Sequence, residues 1–383
     1  MSGKIIITAG GTAGHIYPAQ AIIEHIRKNY PDVRMLYIGT ISGMENELIP
    51  PLGINFRKIR ATGFSASSSI GRKIYICLKF LFNLAAGIFR CMAIINNFKP
   101  DYVLGMGGYI CAPVFISAIL MRKRIAVHEQ NMIPGRLNKF FAKTAKHIFI
   151  SFEESGAYFK KRIKKDPEKI IFSGNPVREE IKDFLFSKTD FSRWGLEEKR
   201  FTITIFGGSL GAERINESAI SLYEKFRKNE KIQIVLICGN RFFEDYSRRL
   251  SRMQESADYA IFRLFPYVKE MASIYRVSDL VVSRAGATTI AELAITNIPA
   301  VLVPYPEAIE NHQYFNAEYL VKNKKAVLIA DDELSGETLS GIIEALLENN
   351  CYQYKQMKAE NLILNKLDSA AIITAKLLEE RKS

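Results

Sequence analysis

Short apolar runs alternate along the chain with segments that carry apolar residues at helical spacing. Ten runs are predicted as buried strands: Lys4–Thr8, Arg34–Ile38, Tyr102–Leu104, Ile125–His128, Ile148–Ile150, Phe201–Phe206, Ile232–Cys238, Ala260–Phe265, Leu280–Ser283 and Ala300–Val303. Between them, Ala19–Asn29, Ile215–Arg227 and Thr288–Thr296 predict helices. A repeated order of strand, loop and helix predicts an α/β protein with parallel sheets that are covered by helices on both faces.

This pattern starts twice, which predicts two Rossmann-like domains. Lys4–Gly14 and Phe201–Gly211 are each a strand followed by Gly-Gly-(Thr/Ser)-x-Gly and a helix. A length of 383 residues also suits two domains better than one core. A linker is expected near Gly174–Val177, where a glycine and a proline break regular structure. We assign residues 1–174 to an N-terminal domain, 175–360 to a C-terminal domain, and 361–383 to a final helix (Leu362–Arg381) that packs back on the first domain.

The composition narrows the class of protein. An apolar content of 48% and a charged content of 24% are values of a globular chain. The net charge of +13 favours an anionic partner such as nucleic acid, anionic lipid or a phosphorylated substrate, although surface lysines also keep proteins soluble. The sequence shows no nucleic-acid-binding motif. Five cysteines without a CxxC pair, and a start that lacks a secretory signal, predict a cytoplasmic protein without a structural metal.

The most apolar stretch runs from Ile74 to Ile95. Lys79 and Arg90 interrupt it, and charges inside a membrane span are costly, so we do not expect a transmembrane helix. Two interpretations remain: an ordinary buried helix, or an interfacial patch on anionic lipid. The residues of the patch, called the membrane patch below, are Ile74, Tyr75, Leu78, Leu81 and Phe82.

The first glycine loop, Gly10–His15, is the first candidate binding element. Glycines after a strand allow a tight turn, and the free N–H groups of the following helix attract a phosphate or a sugar. Ala9 occupies a position that the dinucleotide fingerprint requires to be glycine, and the next strand does not end in an acid, so NAD is not expected. His15 is a candidate general base for a sugar hydroxyl. A purely structural turn, with a capping or core histidine, is the alternative.

The second half carries further candidates. The loop Gly207–Gly211 repeats the glycine pattern and adds the Ser209 hydroxyl, so two facing loops are expected to hold a diphosphate. Arg178 is a candidate phosphate partner, with a surface salt bridge as the alternative. Glu292 follows another glycine turn and is a candidate for ribose hydroxyls, with a solvated helix glutamate as the alternative. No Asp-x-Asp motif occurs, so helix ends, backbone donors and Arg178 are expected to neutralise the leaving diphosphate without a metal or cofactor.

Taken together, these motifs resemble the MurG family of N-acetylglucosaminyltransferases, over nearly the whole chain and in the same order. The matching segments are Gly10–His15 with Pro18-Ala19, Gly105–Tyr109, His128–Asn131, Gly174–Arg178, Gly207–Gly211, Arg284–Glu292 and His312–Ala317. The resemblance implies a GT-B fold whose two parallel sheets face each other across a cleft. It implies an inverting transfer of GlcNAc from UDP-GlcNAc to the 4-hydroxyl of MurNAc in lipid I, giving lipid II for peptidoglycan synthesis, and hence a part in cell-wall biogenesis, cell shape and division.

The resemblance also implies a role for individual residues. Ser209 and Arg178 would bind the diphosphate, Glu292 the ribose, and Val268 the uracil through its backbone. Gln313 and Asn316 would bind the GlcNAc. The remaining donor contacts would come from Thr12, Ala13, Gly14, Asn131, Ala287, Thr288 and Thr289, and His15 would be the base.

Two positions depart from the family pattern. Ala13 stands where the family loop has glycine, which is tolerable only if its φ is negative. His312 stands where one branch of the family has a glutamine, so only Gln313 is carried over.

The implied partners are UDP-GlcNAc, lipid I, an anionic membrane surface, and other cell-wall synthesis and division proteins. The resemblance also implies peripheral attachment at the cytoplasmic face of the cell inner membrane. Nucleic acid is not expected. Two alternatives remain open: a related UDP-sugar transferase acting on another lipid such as diacylglycerol, and a catalytically silent nucleotide-sugar-binding scaffold.

Overall fold

A computed structural model describes residues 3–61, 70–164, 166–183, 188–253, 258–359, 362 and 367–379, without the side chains at 70–74 and 349–350. The chain divides into two compact units, Met1–Glu179 with Leu367–Ser383, and Glu180–Lys366. Each unit is built around one parallel β-sheet. The prediction of an α/β protein with two parallel-sheet domains is therefore confirmed.

The sheet of the first unit has seven strands in the order β3-β2-β1-β4-β5-β6-β7. The strands are β1 (Gly3–Thr8), β2 (Val33–Thr40), β3 (Asn55–Ile59), β4 (Tyr102–Gly105), β5 (Arg124–Glu129), β6 (His147–Ile150) and β7 (Ile170–Phe172). The helices are α1 (Ala13–Asn29), α2 (Glu45–Leu48), α3 (Ile70–Phe98), α4 (Cys111–Leu120), α5 (Arg136–Phe141) and α6 (Ser155–Lys160). Helix α7 (Glu179–Lys182) begins at the last residue of this segment and continues into the second unit.

Side chains that alternate along the central strands of the first unit fill two separate cores. Ile5 and Ile7 belong to the core that also holds helix α1, whereas Ile6 belongs to the core that holds helix α4. This separation follows from the two-residue period of a strand, which sends neighbouring side chains to opposite faces. A sheet that is buried on both faces leaves its strand ends and loops as the accessible part of the domain.

The sheet of the second unit has six strands in the order β10-β9-β8-β11-β12-β13. The strands are β8 (Phe201–Phe206), β9 (Ile232–Ile237), β10 (Ile261–Phe265), β11 (Leu280–Ser283), β12 (Ala300–Leu302) and β13 (Ala326–Leu328). The helices are α8 (Glu213–Phe226), α9 (Phe243–Met253), α10 (Met271–Val277), α11 (Ala287–Thr296), α12 (His312–Lys322) and α13 (Gly336–Ala359). All pairings are parallel, so the loops at the carboxyl ends of the strands share one edge of the sheet.

Three strands lack a counterpart among the sequence predictions: β3, β7 and β13. All three are edge strands. Edge strands pair on one side only and need fewer apolar residues; β3, for example, has a mostly exposed pattern with Arg57 and Lys58. The final helix is also shorter than predicted, because α14 spans Ser369–Glu379 and Leu362 lies in non-helical backbone. Helix α14 packs against α1 within the first unit, where Ile373 and Leu377 join the core.

Candidate active site

The first glycine loop connects β1 to α1. Gly11 has a φ of 97°, a left-handed conformation that glycine adopts without strain. Thr12 is the N-cap in an extended conformation, and in this described turn its hydroxyl makes no capping hydrogen bond. The helix then begins at Ala13, where backbone φ is negative, so a methyl group is tolerated at the position where the family has glycine. The loop therefore presents the N-terminus of α1 with Thr12 exposed and His15 half-buried.

A second glycine loop of the first unit lies against the first. Gly107 and Gly108 have φ values of 102° and 83°. A Cβ on Gly108 would come within 2.3 Å of the Gly10 carbonyl oxygen, and one on Gly107 within 2.9 Å of the His15 ring. These short distances leave no room for a side chain at either position. The loop at Gly105–Tyr109 therefore packs directly against the His15 imidazole.

His15 is connected to a buried chain of polar side chains at the end of β5. Its Nδ1 lies 3.1 Å from Gln130 Oε1, and the Gln130 Nε2 atom lies 3.0 Å from His128 Nδ1. His128 Nε2 in turn lies 3.1 Å from the Gly174 carbonyl oxygen. Complete burial lowers the pKa of His128 to about 4, with a minor contribution from His15, so this imidazole is neutral near pH 7.

Glu129 organises the loop that follows the same strand. It is 1% exposed, and its carboxylate accepts hydrogen bonds from the Asn131 and Gly135 backbone N–H groups, each at 2.9 Å. It also accepts from the side-chain amides of Asn138, at 2.8 Å, and Asn131, at 3.3 Å. The polar run His128–Asn131 therefore divides in two: three side chains point into the domain, and only Asn131 remains partly accessible.

Arg178 is buried, with 5% of its surface exposed, so it is not a residue of a surface salt bridge. Its guanidinium lies 4.1 Å from the centroid of the Tyr17 ring, on the first turns of α1. An arginine stacked on an aromatic ring keeps its N–H groups directed outward from the ring edge, which suits the binding of a phosphate. The structure thus places Arg178 in the first unit, close in space to the helix that carries His15.

The second unit repeats the strand, glycine loop and helix. Gly208 and Gly211 have φ values of 94° and 74°, and a Cβ on Gly211 would come within 2.1 Å of the Cys238 carbonyl oxygen. Between these glycines, Ser209 is half-buried and the Leu210 side chain is 76% exposed. Helix α8 begins at Glu213, five residues after Gly208, so this loop is longer than the first.

The glycine turn after β11 holds Glu292. The side chain is 5% exposed and accepts a hydrogen bond of 2.9 Å from the Tyr275 hydroxyl, so it is not an ordinary solvated helix glutamate. Helix α11 begins at Ala287, with Gly286 as an extended N-cap; Ala287 is buried, and Thr288 and Thr289 are half-buried. A buried, oriented carboxylate one to two turns into a helix is suited to accept hydrogen bonds from ligand hydroxyls.

The remaining candidates of the second unit lie on helix α12 and in the loop before α10. Asn316 is fully buried and donates a hydrogen bond of 3.3 Å to the Ala285 carbonyl, which ties α12 to this turn. Gln313 accepts a hydrogen bond of 3.0 Å from the Tyr305 N–H through its amide oxygen. Val268 is 6% exposed in the loop between β10 and α10. Among the described residues, no group of three or more His, Cys, Asp or Glu side chains is arranged to hold a metal ion.

Comparisons with known proteins decide the family. Residues 5–150 match the glycosyltransferase family 28 N-terminal domain, and residues 202–372 match the C-terminal domain of the same family. Two curated relatives, from Halothermothrix orenii and Bacillus subtilis, carry the name UDP-N-acetylglucosamine–N-acetylmuramyl-(pentapeptide) pyrophosphoryl-undecaprenol N-acetylglucosamine transferase. Each is 35% identical to this chain. The match to the Halothermothrix orenii protein covers 96% of this chain and 99% of that protein. The match to the Bacillus subtilis protein covers 99% of this chain and 100% of that protein.

The chain belongs to glycosyltransferase family 28.

A solved structure agrees in fold. The crystal structure of MurG from Acinetobacter baumannii matches with a TM-score of 0.72 and 23% identity, over 99% of each chain. The prediction of a GT-B-type fold is confirmed. The resemblance to the MurG family is confirmed by the curated relatives.

Several residues that contact the candidate site residues were not recognised from the sequence. Tyr17 and Tyr275 orient Arg178 and Glu292, but a single aromatic residue in a helix carries no pattern that distinguishes such a role. Gln130 was noticed only as a member of the polar run at the end of β5. That run was itself the signal, because three consecutive polar side chains at a buried strand end need partners inside the protein.

Helix α3 carries the membrane patch. Within the described part of the chain, Tyr75–Phe98 is long and apolar enough to span a bilayer, with a mean hydropathy of 1.7. Exposure of Tyr75, Leu78, Leu81 and Phe82 ranges from 53% to 72%, whereas Cys91 and Ile95 are fully buried in the core. Ser117 of α4 donates a hydrogen bond of 2.9 Å to the Ile88 carbonyl. Ile74 belongs to the helix, but its side chain lies outside the described part of the chain.

Proposed function

We propose that this chain transfers GlcNAc from UDP-GlcNAc to the 4-hydroxyl of MurNAc in lipid I, giving lipid II and UDP for peptidoglycan synthesis. The observation that carries this proposal is the identity of 35%, over nearly the full length of both proteins, to transferases named for that reaction. The motif residues that chemistry requires, including His15, Arg178, Ser209 and Glu292, are all present. They argue against a catalytically silent scaffold.

The reaction needs a base and a site for a diphosphate. In our account, Nε2 of His15 takes the proton of the 4-hydroxyl while the hydroxyl oxygen forms its bond to C1 of GlcNAc. The bond between C1 and the diphosphate oxygen breaks, and UDP leaves with the electron pair, so the configuration at C1 is inverted. The developing negative charge requires donors that are already in place before the reaction, because reorganising them would raise the barrier.

In the second unit we assign the nucleotide to the loops at the carboxyl ends of the strands. Ser209 and the N–H groups of its loop would bind the diphosphate, Glu292 the ribose hydroxyls, and the Val268 backbone the uracil. Ala287, Thr288 and Thr289 would contact the donor at the start of α11. The orientation of Glu292 by Tyr275, at 2.9 Å, supports this assignment, because a fixed carboxylate loses little entropy on binding.

We assign the sugar to helix α12. The carbonyl of the Gln313 amide is engaged by the Tyr305 N–H, so its NH2 group is the one we expect to donate to the GlcNAc. The burial of Asn316 favours an indirect role for this residue, in which it holds the turn at Ala285 in place.

In the first unit, Thr12, Ala13, Gly14 and Asn131 would complete the donor site, and Arg178 would contribute positive charge to the diphosphate. The exposed Thr12 and the uncapped start of α1 support a role for backbone N–H groups there.

The membrane patch suggests how the enzyme reaches a lipid acceptor. We propose that α3 lies in the surface of the cytoplasmic leaflet of the cell inner membrane and attaches the protein peripherally. The helix cannot span the bilayer while Cys91 and Ile95 remain in the domain core. Lys79 and Arg90 are exposed on the same helix, and a basic residue near anionic lipid contributes about 1 kcal/mol. Other cell-wall synthesis and division proteins are proposed as partners at this surface.

Release of UDP in the presence of UDP-GlcNAc and a lipid I analogue tests the reaction. We expect UDP release only when both are supplied, and little release when UDP-glucose replaces the donor or diacylglycerol replaces the acceptor. A higher rate with diacylglycerol would contradict the acceptor assignment and favour the related transferase. A higher rate with UDP-glucose would contradict the donor assignment.

Binding to vesicles that contain anionic lipid tests the membrane patch. Replacing Phe82 by Glu should reduce binding at least about tenfold, because an aromatic side chain contributes roughly 1.5–3 kcal/mol when it leaves water. Phe140→Glu is a matched control, since Phe140 lies in the same unit on α5 and is 67% exposed, compared with 72% for Phe82. Equal losses in the two variants would contradict a specific role of α3.

A further inference from the structure

The orientation of the Gln130 side-chain amide is fixed by backbone carbonyls. Its Nε2 atom lies 2.6 Å from the Met106 carbonyl oxygen and 3.4 Å from that of His128. Carbonyl oxygens only accept hydrogen bonds, so the NH2 group must face them. The amide is 1% exposed, and the opposite orientation would place its oxygen against the Met106 carbonyl.

His128 uses the second hydrogen of this NH2 group. Because His128 Nε2 lies 3.1 Å from the Gly174 carbonyl oxygen, Nε2 carries the proton and donates it. Nδ1 of the neutral ring is then an acceptor, and it lies 3.0 Å from Gln130 Nε2. Burial lowers the pKa of His128 to about 4, so this arrangement persists throughout the neutral pH range.

These contacts leave one arrangement for His15. The oxygen of the Gln130 amide faces His15 Nδ1 at 3.1 Å, and an amide oxygen only accepts. His15 Nδ1 must therefore carry a proton. In a neutral imidazole the lone pair is then on Nε2, on the side of the ring away from Gln130.

We propose that Gln130, held by His128 and the Met106 carbonyl, is a positioning residue that fixes His15 in the Nδ1–H form, so that Nε2 takes the proton of the acceptor hydroxyl. This inference deepens the proposed function, on whose assignment of His15 as the base it rests. Gln130 does not touch the substrate in this account; it acts through His15. Its contribution is largest in the transition state, where the imidazole becomes positively charged and its hydrogen bond to the Gln130 oxygen strengthens.

The groups that face the His15 ring contain few charges. From β5 they are Gln130 and, behind it, neutral His128; the loop after β4 contributes the backbone of Gly107. Close to α1 there is also a cation, because the Arg178 guanidinium lies over the ring of Tyr17, two residues after His15. The amide oxygen of Gln130 is thus the acceptor that stabilises the protonated His15 ring, through its Nδ1–H group.

Nitrogen-15 NMR of the full chain labelled in histidine tests the tautomer without any substrate. The chain has five histidines, and the His15→Gln variant identifies the signals of His15. At a pH where the ring is neutral, we expect the Nδ1 of His15 to show the shift of a protonated nitrogen and Nε2 that of an unprotonated one. The reverse pattern in the unmodified protein would overturn the proposal.

Kinetics of Gln130→Met provide the second readout. We expect kcat to fall about 10–100-fold, by analogy with the loss of a hydrogen-bond partner behind a metal-bound histidine, with little change in KM for UDP-GlcNAc. The acidic limb of the pH profile of kcat should move to lower pH, because a protonated His15 loses its acceptor. An unchanged kcat and pH profile would refute the positioning role.

Gln233→Met is the matched control. Gln233 is equally buried and also makes hydrogen bonds through both ends of its amide, to the Glu197 N–H at 2.9 Å and to the Glu197 carbonyl and Thr202 hydroxyl at 2.8 Å, but it lies in the second unit. It should lower stability without moving the pH profile; a shift equal to that of Gln130→Met would refute the positioning role. The NMR pattern stays informative if His15→Ala leaves turnover unchanged, a result that would instead remove His15 as the base.

Discussion

The two glycine loops begin in the same way and end differently. The second glycine of each is left-handed, with φ of 97° at Gly11 and 94° at Gly208. After Gly11 the helix begins within two residues, at Ala13, whereas after Gly208 it begins only at Glu213. A second left-handed glycine, Gly211, lengthens the second loop. One sequence pattern thus gives a short loop that brings a histidine to a helix start and a longer loop that carries a half-buried Ser209.

The residues that surround the two glycine loops also differ. The first loop lies beside another glycine loop and beside the buried side chains of Gln130 and His128, and both features position His15. The second is followed by an ordinary amphipathic helix that packs into the core through Ile215, Ala219 and Leu222. We propose from this difference that the two loops have different roles, the first in the chemical step and the second in binding the nucleotide. Each prediction below tests this division.

The largest effect is expected for His15→Ala. If the first loop carries the chemistry, turnover should fall about 10²–10⁴-fold, the usual contribution of a general base, while UDP affinity stays nearly constant. UDP release and calorimetric titration with UDP measure the two quantities. Ser209→Ala is the counterpart from the second loop and should weaken UDP binding instead. Equal loss of UDP affinity in both variants would contradict the division.

Acid should destabilise the region around the first loop. The pKa of His128 is lowered to about 4 by burial, whereas the unfolded chain has an ordinary histidine near 6.5. Below pH 6.5 the unfolded state binds a proton that the folded state does not, so stability falls until the pH reaches about 4. The loss amounts to about 3 kcal/mol.

Unfolding by urea between pH 7 and pH 4, for the unmodified protein and His128→Gln, measures this loss. The variant should lose less stability than the unmodified protein over the same range. Identical pH dependence would show that His128 is not buried as a neutral ring.

Alanine at two left-handed glycines compares the packing of the two loops. At Gly108 a Cβ would lie 2.3 Å from the Gly10 carbonyl oxygen, whereas at Gly208 it would have open space among the described residues. Gly208→Ala should cost only the backbone strain, about 1–2 kcal/mol. Gly108→Ala should cost more and should also reduce turnover, because the loop that supports His15 must move. Thermal unfolding ranks the two, and the reverse order would contradict the packing of the first loop.

The smallest effect is expected for Ala13→Gly, which restores the family residue. Ala13 has helical backbone, so glycine offers no relief of strain and lowers helix stability by about 0.5–1 kcal/mol. Turnover should change less than about twofold, because the substitution removes no contact of His15 and the barrier of the chemical step therefore changes little. A large gain in activity would mean that the alanine distorts the first loop, and it would be seen in the same UDP-release assay.

The sequence predicted most of the fold because apolar runs mark central strands. It missed β3, β7 and β13, which pair at one side only and carry a weak apolar signal. The candidate residues of the site were found as motifs, since glycine turns and polar strand ends are visible locally. Their partners were not: Tyr17, Tyr275 and the Met106 carbonyl contact Arg178, Glu292 and Gln130 through tertiary packing, and no local pattern encodes such distances.

A structure of the protein with UDP bound tests the division of labour most directly. The account predicts the ribose hydroxyls on the Glu292 carboxylate and the diphosphate on the Ser209 loop, with His15 Nε2 making no contact with the uridine. A uridine bound at the Gly10–His15 loop, or one that leaves Glu292 and Ser209 without contact, would contradict it.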